Sequence, residues 1–561
     1  MKLKIFLILI IILAFSLRVF KVGEFPVALY GDEQAFAWNA YNILKLGQDE
    51  YGNPYPWHFR SFDDYKSPIP AYLLVPFLKV LGMNTFSIRL PVVIASTLTV
   101  LATYLLVRLF LNKKTSLLVA FLLSISPWHI HLARGFFEVE LSLLFFVFGV
   151  YFFLKSKMKL SLMMTGMLFF GFSLYSYLTP RILLSLFLPF LLIYYFIFFR
   201  SFLSDQSSIT STKTIIRRYV ISLIFLLIIS LPLIKLAIVD KGIARFDKLT
   251  TAVNKIVIDT VNRERNATNL DSFWRVRFHN KYTIWARLIE TNYLEHLSSN
   301  FWYITGDNNL RVFTGNMGMF YLIEFPFLLI GLYYLWKDKR IAAILFLGWL
   351  LLSPIPSSIV GRPFGVRSLF MLPAPYIFVG FGLYKALNLF QKIRLKQTIS
   401  MLIVIGFTIT LGSQLIGYFF EYPVYAATWW GWENKAALEY AAAREANYDK
   451  IFISDFYSGA TLAYAVYNSY DPLEYRQAIN NPIIVADGRH MIRLGKYYFG
   501  SLDLNNERLA KDIIPPKSLY IGRPEEPMGE DAILAPDDKR VLFVIHDTLR
   551  KENYKEKVPA N

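Results

Sequence analysis

Long apolar runs, broken at short intervals by clusters of Lys and Arg, constrain this chain more than any other feature. The runs Ile5 to Phe15, Val220 to Ile234 and Ile341 to Leu352 contain almost nothing that must face water. In hydrocarbon a backbone has no water to bond, so such runs must be helices that satisfy their own N–H and C=O groups. Composition agrees: 55% of the residues are apolar, 17% aromatic and only 18% charged, against about 25% charged in a typical soluble chain. A soluble multidomain protein is excluded, although 561 residues would be long enough for one. Reading the runs against their charged breaks predicts spans near 5–19, 88–111, 115–128, 138–154, 160–177, 182–199, 219–238, 317–336, 341–354, 369–388 and 398–419. The expected fold is therefore a polytopic α-helical membrane protein with about 11 transmembrane helices. Spans 115–128 and 341–354 are short for a bilayer core of roughly 30 Å and are either broken or sit in thinned bilayer.

The net charge of +18, from 59 Lys and Arg against 41 Asp and Glu, would ordinarily raise nucleic acid as a partner. The positions of the cations give a simpler account. With Lys2 and Lys4 inside, the inner loops are Lys113-Lys114, Lys155 to Lys159, Arg200 to Arg218, Lys337 to Arg340 and Lys392 to Lys396, and every one is basic. The N terminus is thus expected inside and the C terminus outside, with no nucleic-acid partner. No small-x-small cleavage site follows the first run, so it reads as an uncleaved helix rather than a signal peptide. The large hydrophilic pieces, 20–87, 239–316 and about 420–561, then fall on the outer face. In the last, Lys450 to Ile453, Pro482 to Val485, Ser518 to Ile521 and Arg540 to Ile545 are short strand-type runs, preceded by a helical pattern over Glu433 to Ala446. Residues 1–435 are predicted to form the membrane domain with outer loops 20–87 and 239–316, and residues 436–561 a soluble α/β domain. The chain has no cysteine, which excludes disulfides and thiolate metal sites. One sequon, Asn266-Ala267-Thr268, lies on the outer side and is weak evidence for glycosylation.

The first outer loop carries Gly31-Asp32-Glu33, then Asp63-Asp64-Tyr65-Lys66-Ser67-Pro68. Phe36, Ala40, Ile43 and Leu44 fall on one stripe after Asp32, which predicts a helix lying in the interface. An isolated Asp at such a start is usually an N-cap; two acids there, with Lys66 returning to the same side, point to a site as well. Adjacent helical residues diverge by roughly 100°, so Asp32 and Glu33 are not expected to act together. The second outer loop runs from Ser126-Pro127-Trp128 to Glu138. Its Arg134 and Glu138 either pair on one helical face or serve a site. His129 and His131 are ligands for a metal only in an extended segment, and interfacial hydrogen bonds suit them better. Arg181, Arg245, Arg362 and Arg367 are further outer-end cations that either snorkel to headgroups or converge on a phosphate.

Together, Gly31-Asp32-Glu33, Tyr65-Lys66-Ser67-Pro68, the Ser126 to Glu138 loop, Tyr177-Leu178-Thr179-Pro180-Arg181 and the segment from Pro354-Ile355-Pro356 to Arg367-Ser368 resemble motifs of the GT-C membrane glycosyltransferases. The similarity is greatest to the protein mannosyltransferase and aminoarabinose transferase group and covers roughly residues 1–435. It implies a GT-C-like fold with interfacial helices, a polyprenyl-phosphate sugar as donor, and transfer at the outer or lumenal face of an integral membrane protein, expected in the plasma membrane. Carried onto this chain, Asp32 is the candidate general base, Glu33 stands beside it, and Glu138 orients the acceptor or assists. A carboxylate there takes the acceptor proton and steadies an oxocarbenium-like transition state, and one direct displacement inverts the anomeric centre. Lys66 matches the family's phosphate-binding lysine, with Arg134, Arg181 and Arg367 as further candidates for the leaving phosphate.

Some features depart from the group. Where the aminoarabinose transferases have an acid directly before the lysine, this chain has Tyr65, with Asp64 one place further away. A divalent metal is therefore an open expectation, with Asp63 and Asp64 as weak ligand candidates, and no cofactor is certain. The tract Thr428-Trp429-Trp430-Gly431-Trp432-Glu433 resembles the WWD tract of oligosaccharyltransferases without its Asp, and reads more simply as an aromatic belt. The competing reading is a transporter or flippase of lipid-linked glycans, which should carry functional charges near the middle of its spans. Here the span carboxylates are few, with Glu140 and Glu324 toward outer ends. The sugar is open, and the acceptor is a lipid, a protein hydroxyl or another glycan.

Overall fold

The computed structural model describes residues 2–62, 64–157, 159–199, 212–238, 244–389, 393–484, 489–502, 504, 513–527, 529, 531–537 and 539–549. Two compact units result. Unit one comprises Met1–Phe20, Trp57–Pro70 and Arg89–Leu415, and unit two Lys21–Pro56, Ala71–Ile88 and Ile416–Asn561. The outer loop 20–87, assigned from sequence to the membrane domain, thus contributes most of its length to the unit that contains the C-terminal segment.

Every predicted apolar span coincides with a helix or a bent helix pair. Among the described residues five helices are long and apolar enough to cross a membrane, or up to seven if each bent pair is one span, fewer than the expected 11. The difference has physical causes. Lys2–Val19 and Glu138–Lys155 each bring charged residues into 18, while Leu160–Leu174 and Phe325–Asp338 have 15 and 14, short of the roughly 20 that a bilayer core requires. The short span at 115–128 is a broken one: Lys113–Ser124 and Pro127–Ala133 meet at 55°, where Pro127 lacks the N–H that would continue the first helix.

Unit one is packed tightly where helices Phe325–Asp338 and Ala374–Leu389 cross. A Cβ on Gly331 would overlap the Phe378 carbonyl, and one on Gly382 the Phe327 carbonyl, so the two backbones touch. Small residues permit such close approach inside a membrane.

In unit two, the helix Gly31–Leu46 buries Phe36, Ala40 and Ile43 and stops at Gly47, whose φ of 67° suits a residue without a Cβ. The C-terminal segment forms a seven-stranded mixed sheet with strands β3 (Lys450–Ile453), β4 (Ile483–Ile484), β5 (His490–Leu494), β6 (Tyr497–Phe499), β7 (Ser518–Gly522), β8 (Asp531–Leu534) and β9 (Val541–Asp547), in the order β4-β5-β6-β3-β7-β9-β8. β3 runs parallel to both β6 and β7, and the other pairs are antiparallel. The four predicted runs are β3, β4, β7 and β9. Central β7 is buried at every position, hence its continuous apolar character. β5 and β8 carry polar residues and β6 has only three residues, so neither length nor alternation marked them. Phe452, Met491, Tyr498, Leu502, Leu504, Ile514 and Tyr520 form the core on one side. In unit one, the pair β1 (Phe59–Ser61) and β2 (Asp64–Lys66) makes a small hairpin in which Phe59 faces Lys66.

Gly382→Val should force the touching helices apart at a cost of about 1–3 kcal/mol; a melting temperature in detergent equal to that of the wild-type chain would contradict this packing.

Candidate active site

The acid pair at the start of Gly31–Leu46 divides as the helical geometry demands. Glu33 is fully buried, and its Oε2 accepts the Tyr30 N–H at 3.2 Å, closing the first turn. Asp32 is half-buried. Both belong to unit two.

The other candidates stand on unit one. Lys66 ends the β1-β2 hairpin, and Ser67-Pro68 turns the chain into helix Pro68–Leu81, with Pro supplying the φ that a first helical residue needs. Arg181 lies in the first turn of helix Thr179–Tyr194. Lys66 and Arg181 line one cavity with Trp57, His58, Tyr65, Ser67, Pro68, Leu178, Leu233 and Leu236. The Ile69 N–H donates to the Tyr175 carbonyl at 3.3 Å, tying the two helix starts together. Both helices begin at this cavity, but Pro68, Pro70 and Pro180 have no N–H and the Ile69 and Arg181 N–H groups are bonded to the Tyr175 and Leu178 carbonyls, so the positive charge there is that of the two side chains. A cation in a first turn opposes the helix dipole. The arrangement suits an anion with several oxygens far better than any neutral ligand.

Arg134 is fully buried and donates to the carbonyls of Leu17 and Arg18, each at 3.2 Å. It caps the short helix Pro127–Ala133, whereas Glu138 opens the next helix, Glu138–Lys155, half-buried in its first turn. The two do not share a helical face. His129 and His131 diverge: His129 Nδ1 meets Arg18 Nη2 at 2.7 Å and its Nε2 lies 3.0 Å from Glu140, while His131 Nε2 contacts the Arg311 carbonyl at 3.1 Å. Among the described residues no group of three or more His, Asp or Glu side chains could hold a metal ion. Asp63 and the side chains of Asp64 and Arg245 lie outside the described residues.

Arg367 is half-buried in the short helix Gly365–Ser368, its guanidinium 4.7 Å from the Phe364 ring centre. The loop that carries it is fastened by residues the sequence did not single out. Asp307 Oδ2 accepts the Gly365 N–H at 2.6 Å, and Trp128 Nε1 donates to the Gly365 carbonyl at 3.0 Å. A Cβ at Gly365 would press on Val312, Met319 and Trp128. Burial raises the Asp307 carboxyl above its usual range, against the opposing pull of the Gly365 and Asn309 N–H groups and of Arg367. His296, fully buried, donates through Nδ1 to the Asn292 carbonyl at 2.7 Å. Burial, aided by the positive charge of Arg367 and opposed by that hydrogen bond, lowers it from 6.5 to about 4. Outer-loop position and a family-like motif were the only signals available in the sequence, and neither Asp307 nor His296 stands in such a motif.

Fold and site define a polytopic membrane protein with an anion-receptive cavity between two helix starts. In sequence, residues 65–234 match the family described as dolichyl-phosphate-mannose-protein mannosyltransferase. This stretch contains Lys66, Arg134, Glu138 and Arg181, and with it the resemblance to the GT-C glycosyltransferases of the mannosyltransferase and aminoarabinose transferase group holds. No curated protein matches the chain in sequence. Among solved structures, the archaeal oligosaccharyltransferase AglB from Archaeoglobus fulgidus, in complex with an inhibitory peptide and a dolichol-phosphate, is similar at 14% identity and a TM-score of 0.48, covering 83% of this chain and 63% of that one. ArnT from Cupriavidus metallidurans bound to undecaprenyl phosphate is similar at 15% identity and a TM-score of 0.45, over 84% of this chain and 75% of that one. The chain thus spans a little under two thirds of the AglB structure.

The histidine gives a pH prediction. A folded value below the unfolded 6.5 means that the unfolded chain takes up a proton the folded one refuses, so stability present above pH 6.5 is lost as pH falls toward 4. The loss should approach roughly 3 kcal/mol, and His296→Gln should flatten this acid limb of the melting temperature.

Proposed function

We propose that the chain is an inverting glycosyltransferase that moves a sugar from a polyprenyl-phosphate donor to an acceptor hydroxyl at the outer or lumenal membrane face. The observation that carries the reading is the cavity shared by Lys66 and Arg181, inside the stretch that matches the mannosyltransferase family. Two side-chain cations offset the negative charge that develops on a leaving phosphate monoester. The donor class is supported by the description of that family, whose sugar is carried on dolichyl phosphate, a polyprenyl-type lipid phosphate.

In this reading the acceptor hydroxyl gives its proton to Asp32 as its oxygen attacks the anomeric carbon from the face opposite the phosphate. The bond from that carbon to the phosphate oxygen breaks, the electron pair leaves with the polyprenyl phosphate, and Lys66 and Arg181 take up the growing negative charge. One displacement inverts the centre. Glu33 is fully buried while Asp32 is half-buried, which favours Asp32 for the base role. Glu138, at a helix start, orients the acceptor. Arg134 holds the end of the first helix through its carbonyls, and Arg367 adds positive charge at the outer end of unit one. Residues 1–435 carry the groups that meet donor and acceptor and 436–561 form the soluble domain, with the protein in the plasma membrane and its C terminus outside. The acceptor is a lipid, a protein or a glycan, and identifying the labelled product formed from radiolabelled polyprenyl-phosphate sugars and membrane extract decides among them.

Asp32→Asn should leave the protein folded and able to bind donor while transfer falls by about 100-fold or more, on the order of a lost general base; near-normal turnover would refute the assignment. Lys66→Ala should weaken donor binding as well as rate, with donor KM raised roughly tenfold, and an unchanged donor affinity would exclude a contact with phosphate.

A further inference from the structure

The short segment that leads into Asp32 is held, within unit two, by side chains from the far end of the chain. Lys435 Nζ donates to the Val27 carbonyl at 2.8 Å, and the Leu29 N–H donates to Tyr467 Oη at 3.0 Å. The next residue, Tyr30, meets Trp430 edge to face, with ring centres 5.5 Å apart at 82°. Each anchor is itself fixed. Lys435 lies in helix Trp432–Ala442 and Tyr467 ends helix Ala460–Tyr467, while Trp430 Nε1 donates to Tyr422 Oη at 2.6 Å. Gln34 closes the segment from the other side, its Nε2 donating to the Leu29 carbonyl at 2.6 Å.

Leu29 and Tyr30 are buried, so Leu29's backbone N–H cannot turn to water when Tyr467 is removed. Further contacts with the same C-terminal segment lie before the helix, where Phe25 meets Phe419 with ring centres 5.8 Å apart, and along helix Gly31–Leu46 and beyond it. Trp38 packs on Tyr475 with centres 4.8 Å apart, and Arg476 donates to Gln48 Oε1, the Asp49 carbonyl and the Glu50 carbonyl at 3.0, 2.8 and 3.2 Å. These anchor the helix as a body. The Lys435 and Tyr467 contacts act instead on the last backbone units before Asp32, where a small shift is transmitted directly to its carboxylate.

We propose that Lys435 and Tyr467 are positioning residues for Asp32, through which the C-terminal segment sets the place of the acid that takes the acceptor proton. The proposal rests on the reading of Asp32 as the base. It gives the tract Trp429-Trp430-Gly431-Trp432, which from sequence reads as an aromatic belt, a second role, because Trp430 and the helix begun at Trp432 deliver the clamp. It also makes the C-terminal segment part of the transfer machinery rather than an appendage.

The test uses the full chain in lipid nanodiscs, with radiolabelled dolichyl-phosphate mannose and undecaprenyl-phosphate aminoarabinose as donors and membrane extract as acceptor. Tyr467→Phe and Lys435→Met should each lower kcat roughly tenfold or more, the scale on which a sub-ångström misplacement acts. Donor KM should move less than about twofold, since the phosphate contacts are untouched. Lys435→Arg, which keeps a donor for the Val27 carbonyl, should regain most of the rate. A kcat equal to wild type in both variants, a kcat that falls only in step with the melting temperature, or failure of Lys435→Arg to restore any rate overturns the positioning role. Normal transfer by Asp32→Asn measured alongside overturns the base assignment instead, and no transfer by the wild-type chain from these donors or from the polyprenyl-phosphate sugars of the extract overturns that reading and this one together.

Discussion

A helix broken within packed protein exposes carbonyls that only neighbouring side chains can satisfy, and unit one contains one such break. Where Lys113–Ser124 gives way to Pro127–Ala133, Arg18 reaches across from the first helix and donates to the Ser124 carbonyl at 2.9 Å and, more weakly, to that of Leu123 at 3.4 Å. The first helix ends just beyond, and Arg134 returns the service by donating to the carbonyls of Leu17 and Arg18. Two buried guanidiniums thus cap two helix ends, that of Lys113–Ser124 and that of Lys2–Val19. The charge of Arg18 is carried onward through His129 to Glu140, so the ion is not left alone in the interior. Removing one member of a buried set of this kind typically costs about 3–5 kcal/mol because the others are stranded. The break is what lets the chain turn through Trp128 toward Glu138 instead of running on as a straight helix.

With that frame in place, the two faces of the chemistry are built differently. The anion-receptive side is made of local pieces: a three-residue strand ending in Lys66, a Pro-started helix, and a second helix whose first turn holds Arg181. The acid side is made of distant ones, since the backbone before Asp32 is bonded to Lys435 and Tyr467. Separate construction leaves the surroundings of the Lys66–Arg181 cavity and those of Asp32 to be set by unrelated residues.

This contrast also decides what could be read from sequence. Apolar length and charged breaks are local, so every predicted run falls on a helix or a bent pair, and the runs that became β3, β7 and β9 were found because buried central strands are continuously apolar. The divergence of Asp32 from Glu33 followed from helical geometry alone. Lys66 and Arg181 were named by motif, but nothing in the sequence joined them in one cavity. Asp307, His296, Lys435 and Tyr467 escaped notice because each acts on backbone far from the motifs, and a hydrogen bond to a main-chain group leaves no periodicity or spacing behind. The expected number of spans exceeds the helices long enough to cross, because apolar stretches of 14 and 15 residues resemble spans until their length is weighed against a bilayer.

The bond between Leu29 and Tyr467 closes a loop of 438 residues. A ribosome adding 5–20 residues per second needs roughly 20–90 s to cover that distance. For all that time the segment before Asp32 lacks these anchors, so its final backbone geometry is set only after Tyr467 has been made.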